Sequence, residues 1–139
     1  MRLDTLLRVV SKVFLPFIFV FALYVQWHGD FGPGGGFQAG VIVAAGVILY
    51  AIIFGLEAAQ RAVPIWLVEI MVPLGVMIYA GVGVAGILTG GMYLDYNTLA
   101  HEPAHGQEWG VFLVEIGVLV TVSGTMLAIF YAFAGRGRK

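Results

Sequence analysis

Two glutamates stand inside long apolar runs of this chain, where an ionisable side chain is unusual. Glu69 lies about one turn into a run that begins near residue 65, and Glu115 lies one to two turns into a run that begins near residue 110. If these runs cross a bilayer, each carboxyl group must be protonated, paired or hydrated, and such groups often belong to ion or proton paths. The alternative for each is a helix-end carboxylate that reaches the headgroups. We therefore take Glu115 first, and Glu69 second, as candidate ion-path residues.

Lys12 is the third candidate, because it is a basic residue that falls within an apolar run. Helical spacing places it in the same leaflet as Glu69, so an ion pair between the two is geometrically feasible. The favoured alternative is that its long side chain extends to the headgroups. With a rise of ~1.5 Å per residue, Glu69 and Glu115 each lie roughly 10 Å from the midplane in opposite leaflets, so we do not expect them to touch.

Residues 101–105, His-Glu-Pro-Ala-His, match the zinc-peptidase pattern H-E-x-x-H. That chemistry needs both histidines on one face of a helix, with the glutamate as general base. Here the pattern falls in the polar segment 89–109, with Pro103 inside it and Gly106 directly after it. A membrane zinc peptidase is therefore the least favoured function. We predict no metal site and no catalytic residues, so the chain is not expected to be an enzyme.

A glycine-rich run separates the first two apolar runs. It contains Pro33, Gly34, Gly35, Gly36 and Phe37. Glycine reaches positive φ angles and, without a Cβ, lets the backbone lie tightly against another surface. A phosphate loop is not expected, because no Lys-Ser or Lys-Thr follows the glycines. We expect a compact turn packed closely against a neighbour, such as another subunit; the alternative is a loose turn.

The elements that must position these residues are membrane helices. The chain has 139 residues, of which 60% are hydrophobic, and its mean hydropathy is +0.96. A soluble domain of this size could not bury so much apolar surface. Four runs are long enough to cross a hydrocarbon core, and they must be helical because backbone polar groups in lipid need partners within the segment. These predicted spans are residues 6–27, 37–56, 65–88 and 110–133.

The predicted fold is therefore all-α, a single domain over residues 1–139 in which four transmembrane helices form a bundle. No cofactor is predicted. Nucleic-acid binding is not expected, because the net charge is -1 and the seven basic residues are scattered. Membrane lipid is an expected partner.

The basic residues predict the orientation of the chain. All seven fall on one side of the membrane if both termini are cytoplasmic, which is the side that Lys and Arg favour. Loops 28–36 and 89–109 then face outward. The three tryptophans, Trp27, Trp66 and Trp109, each lie at a predicted membrane boundary, where an amphipathic ring is favourable.

Nearly the whole chain resembles the B subunit of Mrp-type (also called Mnh-type) multisubunit sodium/proton antiporters. The resemblance rests on Pro-Gly-Gly-Gly-Phe-Gln-Ala-Gly at residues 33–40 and on Gly-Val-Phe-Leu-Val-Glu-Ile-Gly at residues 110–117, together with the four-span layout. The glycine-rich run is the more specific of these features.

The resemblance implies a small integral subunit of a complex in the prokaryotic cell membrane that exchanges sodium ions for protons and supports pH homeostasis. Its implied partners are large A and D subunits and small C, E, F and G subunits. The same B-like module also occurs in membrane-bound hydrogenases and related redox-driven ion pumps, which is the leading alternative. A purely structural assembly subunit without an ion path is a further alternative.

Overall fold

The computed structural model describes residues 3–28, 35–88, 90 and 103–136. Four of its helices are long and apolar enough to cross a membrane, which confirms the predicted all-α, four-span fold. The part of the chain that is described contains helices and turns and no strand. Its five helices are α1 (Leu3–His28), α2 (Gly36–Phe54), α3 (Leu56–Ala62), α4 (Ile65–Leu88) and α5 (Pro103–Ala134).

The connection between the second and third spans contains a short helix that the sequence did not predict. The second span was expected to run to residue 56, but α2 ends at Phe54 and α3 begins at Leu56. Gly55 separates them with a φ of 100°, a conformation that favours glycine. Tyr131 of α5 stabilises the corner between α3 and α4, because its hydroxyl donates a hydrogen bond to the carbonyl of Val63 at 2.9 Å.

The last helix also begins earlier than predicted. Its apolar part runs from Trp109 to Ala134, close to the predicted span 110–133. The helix itself begins at Pro103. Proline suits the first position of a helix, because its fixed φ is helical and the N–H that it lacks would have had no partner there.

Helix α5 packs against both α4 and α2, while α1 packs against α2. The α4–α5 contact depends on glycine. A Cβ added to Gly117 would lie 2.8 Å from the carbonyl oxygen of Gly75, and one added to Gly124 would lie 2.8 Å from Cβ of Met71. Small residues allow this backbone approach, which gives dispersion contacts where lipid removes most of the hydrophobic driving force between helices. The buried core lies at the α3 end of this arrangement and comprises Ala44, Val47, Leu56, Val68, Leu127 and Tyr131.

The outer surface of the helices is apolar, as expected for spans that face lipid or other subunits. Phe17 on α1 is 67% exposed, and Met77 on α4 is 69% exposed. Large apolar side chains on the outside and small residues between helices reverse the arrangement of a soluble bundle. The chain is therefore built to lie in a membrane.

Candidate ion-path site at the start of α2

The last glycine of the glycine-rich run, Gly36, packs against the backbone of Glu115 in α5. Gly36, the first residue of α2, is buried. A Cβ added to it would lie 2.9 Å from the carbonyl carbon of Glu115 and 3.1 Å from its Cα. No side chain fits in that space. Gly36 therefore lies against a helix of the same chain.

Gly35 connects three helices at this point. Its φ of 129° lies in the region that side chains disfavour. Its N–H donates to the carbonyl of Val25 in α1 at 3.3 Å. A Cβ added to Gly35 would lie 3.4 Å from Oε1 of Glu115 and 3.7 Å from Oε1 of Gln38. The Glu115 side chain therefore turns toward the start of α2, and the glycine leaves room for its carboxyl group.

The start of α2 is electrostatically suited to a carboxylate. The cap residue Gly35 has no side chain to bond the free N–H groups of the first turn. These groups form the positive end of the helix dipole, which stabilises a nearby negative charge. Glu115 is half-buried and brings its carboxyl oxygen to this position from another helix. The geometry supports a stabilised carboxyl group inside the bundle.

The other two candidate residues lie at the opposite end of the bundle. Lys12 is exposed, and its Nζ lies 5.4 Å from the centre of the Phe54 ring at the end of α2. Glu69 is also exposed, in the second turn of α4. Within the described part of the chain, Lys12 and Glu69 form no ion pair with each other, and the structure does not bring either of them to Glu115.

The antiparallel packing of α4 and α5 separates the two glutamates along the helix axes. Gly117 lies beside Gly75 and Tyr79, so Glu115 is level with the second half of α4. Glu69 lies about ten residues before that level, which at ~1.5 Å per residue is roughly 15 Å along the helix. At this separation the two carboxylates do not belong to one site.

A groove of about 190 Å³ between α4 and α5 begins at Gly117, two residues beyond Glu115. Its polar lining residues include Tyr79 and Thr121, and the Thr121 hydroxyl already donates to the carbonyl of Val72 at 3.4 Å. The remaining lining is glycine and valine. This groove therefore offers little to a hydrated ion.

Sequence reasoning missed Gln26. It is 4% exposed near the end of α1, and neither its amide oxygen nor its amide nitrogen has a hydrogen-bond partner among the described residues. It is recognised from its place on the buried face of α1. Its buried residues Ser11, Leu15, Ala22 and Val25 follow a helical stripe, and Gln26 continues that stripe. A glutamine on a buried stripe of a membrane helix is, like a carboxylate there, a candidate functional residue.

The zinc-peptidase pattern does not form a described site. Pro103, Ala104 and His105 belong to the first turn of α5, while His101, Glu102, Pro33 and Gly34 lie outside the described residues. The described residues contain no group of three or more His, Cys, Asp or Glu that could hold a metal ion.

Four close-packed apolar helices, with a carboxyl group held between α2 and α5, are the architecture of a small integral membrane protein. Residues 6–128 match the family described as a domain related to the MnhB subunit of Na⁺/H⁺ antiporters. The chain therefore belongs to the MnhB family.

Individual relatives agree with this assignment. The chain is 31% identical over 135 residues to a Staphylococcus haemolyticus protein that carries the name "Putative antiporter subunit mnhB2", covering 95% of each chain. It is 29% identical over 129 residues to the B subunit of the Na⁺/H⁺ antiporter of Alkalihalophilus pseudofirmus, covering 86% of this chain and 89% of the relative. A similar protein from Staphylococcus aureus strain Newman is 28% identical over 135 residues.

Proposed function

We propose that this chain is the B subunit of a multisubunit sodium/proton antiporter. The proposal rests on the MnhB family match over residues 6–128 and on relatives of nearly the same length that are named as antiporter subunits. It also fits the structure, because four helices with a broad apolar exterior need a membrane and leave surface for other subunits. The large A and D subunits and the small C, E, F and G subunits are the proposed partners.

Within that complex, the proposed role of Glu115 is to exchange protons or cations. The observation that carries this role is the contact between its carboxyl group and the start of α2. A carboxyl group at membrane depth is otherwise unfavourable. The uncapped first turn of α2 presents the positive end of its helix dipole to this carboxyl group. Glu69 and Lys12 are secondary candidates at the other end of the bundle.

A purely structural role for Glu115 is the second candidate, and the same contact favours it. A carboxylate from α5 that takes the place of a capping side chain at the start of α2 would stabilise the packing of the two helices without any role in transport. The two roles differ in what the loss of the negative charge does. A structural carboxylate affects the stability of the complex, whereas an ion-path carboxylate affects transport by complexes that are fully assembled.

The proposed orientation puts both termini in the cytoplasm. It is supported by Arg8 and Lys12 near one end of α1 and by Arg61 and Arg136 at the same end of the bundle. The start of α2 then faces the outer side, where external protons enter.

Copurification from native membranes tests the proposed function. We expect a tagged version of this chain to bring down the antiporter subunits, and deletion of its gene to abolish sodium-driven proton movement in everted membrane vesicles. Expression of the chain from a plasmid should restore that movement. Recovery of hydrogenase or other redox subunits, with unchanged sodium-driven proton movement after deletion, would favour the redox-driven alternative.

A further inference from the structure

Gln26 carries a polar group that the helix packing leaves unused. Only 4% of the residue is exposed, and within the part of the chain that the structure describes neither the amide oxygen nor the amide nitrogen has a hydrogen-bond partner. Burying an amide without a partner is unfavourable, and native proteins rarely do so without a bound water, an ion or a function. An apolar residue of similar size would have packed in this position with no such penalty.

Two contacts of its chain neighbours place Gln26 beside the Glu115 site. The preceding residue, Val25, accepts a hydrogen bond from Gly35, the residue that faces the Glu115 carboxyl group. The following residue, Trp27, packs on Phe112 with ring centres 4.6 Å apart. Phe112 lies one helical turn before Glu115 on the same face of α5. Gln26 is therefore at the junction of α1, the start of α2 and Glu115.

The burial of Gln26 limits what can satisfy it. A side chain of another subunit cannot reach an amide that is almost entirely enclosed by this chain. A water molecule can, because it is small and needs only a few polar partners. The amide supplies both a donor and an acceptor, the Glu115 carboxyl group supplies another partner, and the positive end of the α2 dipole makes the position less favourable for a bare sodium ion.

We propose that Gln26 and Glu115 together bind ordered water at the start of α2, and that this water supplies protons to Glu115. Gln26 is then a positioning residue, since it acts through the water and not on the transported ion directly. This inference rests on the proposed role of Glu115 in proton exchange. To that role it adds a second residue, Gln26, and a bound water molecule. It also implies that protons reach Glu115 from the α1 side of the site.

The direct test is a cryo-electron-microscopy map of the native complex at a resolution that shows ordered water. We expect density within roughly 2.7–3.2 Å of the Gln26 amide, the usual hydrogen-bond distance, that continues to the Glu115 carboxyl group. In the Gln26→Met complex this density should be lost. Direct bonding of the wild-type amide to protein groups, with no density between it and Glu115, would overturn the proposal. Density with the coordination of a sodium ion would also overturn it.

A transport measurement is the second test of this proposal. Gln26→Met keeps the side chain's length and should assemble normally, but we expect sodium-driven proton movement per assembled complex to fall. Interaction energies between residues in one hydrogen-bond network correspond to a factor of roughly 2 to 150, and we expect the fall in transport to lie in this range. The matched control is Gln60→Met on the remote helix α3, which should leave transport unchanged. If Gln26→Met assembles and transports like the wild type, the water does not supply protons to Glu115.

The double variant separates this inference from the proposed role of Glu115. In a Glu115→Gln background, Gln26→Met should lower transport no further, because both residues act in one step. Equal proportional losses in both backgrounds would show that Gln26 acts independently, which contradicts the proposal. If Glu115→Gln alone has no effect, the proton-exchange role fails, while the map still decides whether Gln26 and Glu115 bind water.

Discussion

Gly36 at the start of α2 lies directly on the backbone of Glu115 in α5, so that a Cβ on Gly36 would come within 2.9 Å of the Glu115 carbonyl carbon. This contact places the glycine-rich segment next to Glu115, an ionisable residue within an otherwise apolar span. It also explains why the run needs residues without side chains at this point. The position of the Glu115 carboxyl group therefore depends on how closely α2 and α5 approach.

The first prediction is that Gly36→Ala destabilises the chain. The added methyl group cannot be accommodated without moving α2 away from α5, and overpacking of this kind typically costs about 1–3 kcal/mol. We expect a lower thermal unfolding midpoint in detergent and less assembled complex in the membrane. Gly81→Ala in α4 is the matched control, because a Cβ there meets nothing within 4 Å. It should be neutral or stabilising by up to ~1 kcal/mol through helix propensity.

Gly35→Val should lower assembly or transport while the chain still inserts into the membrane. The substitution forces a branched side chain into a φ of 129° and places a Cβ 3.4 Å from the Glu115 carboxyl oxygen. Gly55→Val is the control for backbone strain alone, since Gly55 has a φ of 100° but open space around it. Vesicle transport should fall more for Gly35→Val than for Gly55→Val. Equal effects would mean that the carboxyl contact is unimportant.

Tyr131→Phe should weaken the corner between α3 and α4 without affecting transport by the complexes that remain. The hydroxyl donates to Val63 at 2.9 Å, and its removal leaves a carbonyl group without that partner. We expect a loss of about 1–3 kcal/mol in the free energy of unfolding. Tyr24→Phe is the control, because Tyr24 is 56% exposed. A Tyr131→Phe complex as stable as the Tyr24→Phe complex would show that this hydrogen bond contributes little.

Thiol labelling tests the proposed orientation. The chain has no native cysteine, so single cysteines can be introduced at Ala104 and at Arg136. An impermeant thiol reagent should label the Ala104→Cys variant in intact cells and the Arg136→Cys variant only after the membrane is opened, because the basic end of the bundle is expected to face the cytoplasm. The reverse pattern would place both termini outside.

The sequence predicted the four spans well, because long apolar runs leave few structural options in lipid. It did not predict the break at Gly55, since a single glycine is compatible with a continuous helix. The observed break is supported by the Tyr131 hydrogen bond from a distant part of the chain. The early start of α5 was missed because residues 103–108 are more polar than the span and resemble a loop in composition.

The candidate site was predicted only in parts. Glu115, Gly35 and Gly36 were each singled out from their residue types, but nothing in their spacing indicated that they would meet. Their contact depends on how α2 packs against α5, which is a property of the whole bundle. Gln26 was missed because a neutral side chain near the end of a span is ordinary until its burial is known.

Whether Glu115 takes part in ion exchange, or only fastens α2 to α5, is decided by sodium-driven pH change in vesicles. The vesicles hold matched amounts of assembled wild-type, Glu115→Gln or Glu69→Gln complex. Glutamine preserves the size of the side chain and one acceptor oxygen but cannot exchange a proton. We expect Glu115→Gln to lower transport by roughly tenfold or more and to alter its pH profile, with a smaller effect for Glu69→Gln. Wild-type transport by the Glu115→Gln complex across the pH range would show that Glu115 has no part in ion exchange.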